Sequence, residues 1–181
     1  MVVDGVAGPG GRRVRTCAEE ELERLARLLA LRVAVAVPDW VRRCVERGVA
    51  NGKARAGPYW TLDAEASKAL SRSAELVGWR AAEFVERKLW EVLAAVGDTR
   101  PAQPRVVAVL QEAGAYPAGV LARAGVPAAR RDRAAMRLFP DDAYDIVPRS
   151  LAELHPMLPE LVNAWEEARW TVVCERNAAA G

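Results

Sequence analysis

Apolar residues return every three or four positions along most of this chain, the spacing that gathers side chains on one side of an α-helix. The clearest case is 64–96, where Leu70, Ala74, Val77, Ala81, Val85, Leu89, Val92 and Val96 form an unbroken stripe. One long helix is predicted there, with the stripe facing the core. Upstream, Leu22, Leu25, Leu29, Val33, Ala36, Trp40 and Cys44 keep the same step across Pro38. Proline lacks the N–H that would bond to the preceding turn, so the spacing predicts a helix over about 17–47 that kinks at Pro38 or restarts there. Thr16, followed three residues later by Glu19, has the spacing of a capping box and sets the start. Gly48 and Asn51-Gly52 read as the end of this unit, ANGKARAGPYW (50–60) as a loop, and Leu62-Asp63 as a staple and cap for the next helix.

Beyond Gly97 the prolines at 101, 104, 117, 127, 140, 148, 156 and 159 cut the pattern short. Short helices are predicted at 104–113, 117–124 and 127–139. Ser150 and Glu153 have capping-box spacing, and Pro159 suits the first turn of a last helix over 159–176 whose inward residues are Leu161, Trp165, Ala168 and Val172. Nothing alternates with period two, so the fold class is all-α. The expected architecture is an irregular helical bundle: three long helices (about 17–47 kinked at Pro38, 64–96, 159–176) with several short ones between 104 and 155. Glycine-rich residues 1–15 are expected to be a flexible arm, and 16–177 a single helical domain.

Composition agrees with a packed domain: 51% of the 181 residues are hydrophobic and 28% charged, ordinary globular usage that argues against disorder. Cys17, Cys44 and Cys174 are odd in number and widely spaced, with no histidine neighbours, which fits a reducing compartment better than a disulfide or zinc framework. No apolar run approaches the roughly 20 residues needed to cross a bilayer, and the glycine-rich start lacks the apolar core of a signal peptide. A cytoplasmic protein without membrane association is expected.

Candidate chemistry is sparse. The chain has no Walker loop, GxGxxG, GxSxG or HExxH, and no cofactor is implied. His155 is the single histidine, set between prolines in LHPMLP, and reads as a turn or helix-end residue. In FPDDAYD, Asp141, Asp142 and Asp145 gather enough carboxylate for a hard cation, without the alternate spacing or the glycine of a calcium loop. Turn formation is the plainer role for aspartates after a proline.

YPAGVLARAGVPAARRDRAAMRLF (116–139) resembles the helix-turn-helix of bacterial repressors. The resemblance implies a turn with positive φ at Gly125, Val126 packed beneath it, and Arg123, Arg130, Arg131 and Arg133 facing phosphates or guanine edges. Leu121 departs from the motif where a small residue belongs, and Arg131 where an apolar one belongs. Residues 120–140 carry five arginines against Asp132, and 141–181 carry eight acids against three arginines. The basic segment is therefore expected to find acidic partners within its own chain and to use its turn for packing.

Six tryptophans remain. Trp40 and Trp165 lie on inward seams. Trp79, Trp90 and Trp170 do not, and must be covered by the short helices of 104–155 or mark an interface, where tryptophan is enriched. The expected function is a non-enzymatic helical protein acting through protein contacts, as adaptor, regulatory subunit or homo-oligomer. Alternatives are a DNA-binding regulator using 117–138 and an enzyme with an acidic site at 141–155.

Overall fold

The structure is a computed structural model that describes residues 15–95 and 101–180. Among them are seven helices and no strand: α1 (Cys17–Ala56), α2 (Ala64–Ala94), α3 (Ala102–Ala113), α4 (Ala115–Arg123), α5 (Arg133–Leu138), α6 (Leu151–Leu154) and α7 (Leu158–Ala180). The expectation for 1–15 lies outside the described residues except at Arg15, as does Val96.

The long elements start where local chemistry allows. Thr16 caps α1 by a full capping box, its hydroxyl accepting from the Glu19 N–H at 3.2 Å while the Glu19 carboxylate accepts from the Thr16 N–H at 3.2 Å. Asp63 caps α2, its carboxylate accepting from the Ala66 N–H at 2.6 Å. Ser150 makes no such bond; the Glu153 carboxylate accepts instead from the Arg149 N–H at 3.0 Å.

α1 runs through Pro38 without interruption and does not end at Gly48 or Asn51-Gly52. At 40 residues it is about 60 Å long. Its two glycines are packing sites: Leu121 of α4 lies over Gly48, and Val126 and Pro127 lie over Gly52. The helix closes at Gly57, whose φ of 88° only glycine adopts at little cost.

α2 returns antiparallel along α1. Ala26 and Leu22 near the start of α1 share a hollow with Trp90 and Leu93, Gly78 sits on Pro38, and Lys53 shares a groove with Leu62. α7 also runs back along α1, since Arg176 pairs with Glu19 at one end while Arg43 reaches the carbonyl of Leu154, just before α7, at the other. Trp40 and Trp165, each 2% exposed, fill the interior. α3 and α4 close one side, with Phe84 of α2 edge-on to Tyr116 of α4 at 6.0 Å. No helix of the described residues is long and apolar enough to cross a membrane.

Cys44 is fully buried and donates to the Ile146 carbonyl at 3.4 Å, whereas Cys17 and Cys174 are exposed. Burial pushes the Cys44 thiol up to about 12 from an ordinary value of 9.0. An aromatic disulfide reagent should therefore modify two thiols rapidly and the third only on unfolding; three fast thiols would contradict this packing. Because the folded thiol holds its proton more tightly than the unfolded one, its stabilisation is complete below pH 9.0 and is lost as pH rises toward about 12. Cys44→Ala should flatten that decline in denaturation curves recorded across the window.

Candidate interaction surface

Beyond Pro38 the second half of α1 and the first half of α2 diverge enough to leave a groove of about 610 Å³ between them. Val45, Val49, Leu62, Leu70 and Ala74 give it apolar walls, and Trp79 stands at its rim. The α2 stripe explains the placement. Leu70, Ala74 and Val77 turn toward α1, and Trp79, two residues past Val77, is carried about 200° round the helix. Trp79 is 66% exposed, and Leu76 one turn before it 54%. Asp39 and Arg42 pair across one edge at 2.5 Å. Glu46, Glu75 and Lys53 line the rest of the rim and make no ion pair among the described residues.

Every described residue lining this groove lies between 38 and 79, and Trp79 stays 66% exposed, so the short helices after residue 101 do not cover it. Trp90, eleven residues further along α2, lies about 16 Å away at the other end of the bundle. It borders a separate hollow of about 390 Å³ with Leu22, Leu93 and Trp165, closed at its edges by the Arg15–Glu23 and Arg176–Glu19 pairs. Trp79 and Trp90, both off the inward seam of α2, thus border two separate hollows.

Trp170 is occupied on one side from within the molecule. The Arg169 guanidinium, 4% exposed, lies 5.7 Å from the Trp170 ring and 5.8 Å from that of Trp165. It also bonds the Glu166 carboxylate at 3.0 Å, and Glu166 in turn accepts from the backbone N–H of Ala102 at the start of α3. Such a buried pair, with its carboxylate further satisfied, fixes α3 against α7. Glu166 three positions before Arg169 and a tryptophan on either side of that arginine were the sequence signals for this cluster.

The helix-turn-helix expectation is corrected. Gly125 does have positive φ, at 67°, and Val126 is buried, but residues 126–132 are not helical and α5 is only six residues long. The recognition helix expected from 127 is therefore missing. Three carbonyls or N–H groups in this stretch are taken by tertiary partners: the Val126 carbonyl by the Tyr144 hydroxyl at 3.1 Å, the Ala128 carbonyl by Arg55, and the Ala129 N–H by the Ala143 carbonyl at 3.1 Å. Nor do the acids of 141–181 pair with most of these arginines among the described residues. Arg131 bonds the Pro140 carbonyl at 3.3 Å, while Arg123, Arg130, Arg133 and Arg137 make no ion pair or hydrogen bond among the described residues.

The aspartates take three different roles. Asp142, 5% exposed, accepts from the N–H groups of Tyr144 (3.3 Å), Ile146 (2.8 Å) and Val147 (2.9 Å). Asp145 pairs with Arg149 at 3.3 Å, and Asp141 is exposed. Among the described residues no three His, Cys, Asp or Glu side chains gather as a metal ion would require. His155 accepts at Nδ1 from the Met157 N–H at 3.2 Å, a helix-end role.

No protein-family model, curated protein or solved structure matches this chain.

Proposed function

We propose that the protein acts non-enzymatically, by protein contact, and that the groove between α1 and α2 is the docking site. The observation that carries this reading is Trp79: a large amphipathic ring, 66% exposed, at the rim of an apolar groove lined, among the described residues, only by α1, α2 and the turn between them. Burying such a ring against a partner removes apolar area from water and immobilises few rotatable bonds, which is why tryptophan dominates interface energetics. The expected occupant is an apolar helical or extended segment of another protein chain, with the open carboxylates Glu46 and Glu75 favouring a basic one.

A photo-crosslinking residue in place of Leu76, beside Trp79 and outside the groove, should give a discrete protein adduct in the host cell. Trp79→Asp should abolish it. Because Trp79 makes little intramolecular contact, that substitution should change folding stability by no more than about 0.5 kcal/mol, so loss of the adduct is not loss of the fold. No adduct, or one indifferent to Trp79→Asp, would refute the proposal.

A further inference from the structure

Resting on that reading, we infer that the groove's occupant is a second copy of this chain, which inserts its α5 segment. Among the described residues α5 is the one helix that packs on no other helix beyond a passing contact. Met136 is 56% exposed and Leu138 70%, leaving two large apolar side chains on a projecting tip. Arg133 and Arg137 share this short helix with them and make no ion pair or hydrogen bond among the described residues. This tip complements the groove: apolar side chains for the walls formed by Leu70, Val45 and Val49, and guanidinium groups for Glu46 and Glu75, which share the rim with Lys53 and with an Arg42 already paired to Asp39.

The tip does not occupy the groove of its own molecule. Its base is fastened on both sides, by Val126 and Pro127 against Gly52 before it and by the Ala129–Ala143 and Tyr144–Val126 hydrogen bonds behind it. No described residue beyond Trp79 lines the groove. Tip and groove are different surfaces, so their union between copies is heterologous and extends head to tail, each molecule giving a tip and receiving one.

The geometry of such a union makes a sharp test by sedimentation velocity. The average mass of the unmodified chain should rise with concentration from the micromolar range upward, less steeply at high salt. A tip variant, Arg133→Glu with Arg137→Glu, and a groove variant, Glu75→Arg with Trp79→Asp, should each associate at least tenfold more weakly. All four positions are exposed, and unchanged helical circular dichroism would verify folding. Mixed in equal amounts, the two variants should recover association but stop at a heterodimer, because one working tip and one working groove remain between them. A mixture that stays monomeric, or single variants that associate as the parent does, would overturn the inference; the first result would mean a symmetric contact and the second a contact elsewhere. A parent chain that is monomeric throughout would overturn it as well. In that case a Leu76 adduct with a different protein would leave the docking reading standing, and its absence would end both.

Discussion

Asp142→Ala should lower the free energy of unfolding by about 3 kcal/mol, while Asp141→Ala next to it changes stability by no more than about 0.5 kcal/mol. The two aspartates are adjacent in sequence and opposite in circumstance. Asp142 is buried and its carboxylate receives three backbone N–H groups, from Tyr144, Ile146 and Val147. Removing it leaves those donors without the acceptor around which the loop is wound, and each orphaned buried group costs on the order of 1–3 kcal/mol less whatever water recovers. The consequence spreads, because this loop carries Ile146, 1% exposed, into the core and presents the carbonyl that Cys44 bonds. Urea denaturation of the two variants checks the prediction. Equal effects at both positions would show that the loop is not organised by Asp142. A cation dependence of the parent's stability that Asp142→Ala removes would restore the metal reading.

Gly78→Val should destabilise the fold by about 2 kcal/mol, a direction opposite to the one helix propensity gives. In an isolated helix any such replacement of glycine gains a few tenths of a kcal/mol, since glycine is the worst helix former after proline. In this structure a Cβ on Gly78 would stand 3.1 Å from the Pro38 Cα and 3.4 Å from its Cβ. The obstruction is backbone in the middle of the longest helix, which cannot swing aside as a side-chain tip can. A valine there must move α2 away from α1 and loosen the Val77, Ala81 and Val33 contacts with the core. Overpacking of this kind costs about 1–3 kcal/mol and exceeds the propensity gain. A valine variant as stable as the parent in thermal and chemical denaturation would mean that α1 and α2 do not approach so closely. The contact also bounds the groove, whose lining begins at Pro38.

That groove marks the boundary of what the sequence discloses. The apolar stripe of α2 and the capping box at Thr16 were legible because each is local: a helix must bury one side, and its first N–H groups need acceptors, whatever surrounds it. The same rule marked Trp79 as a residue off the stripe. It did not separate Trp79 from Trp90, because their different hollows depend on how far α1 and α2 diverge at each level.

Gly48 and Asn51-Gly52 are helix breakers by composition, and sequence patterning ends α1 there. The helix continues because Leu121, Val126 and Pro127 lie directly over those glycines, a packing gain that outweighs about 1 kcal/mol of propensity per glycine. The reverse happens at 127–132, which reads as a helix start. Its backbone is not helical, because Tyr144, Arg55 and Ala143 take groups that a helix would pair internally. By itself, then, the sequence determined the all-α class, the three long helices and the tryptophans left off their seams, since these follow from periodicity and caps within one segment. Where α1 ends, which aspartate is structural, that Arg123, Arg130, Arg133 and Arg137 pair with no acid among the described residues, and that Trp79 borders an open groove were decided only by the tertiary structure. Each depends on groups distant in sequence that compete for the same backbone or the same space.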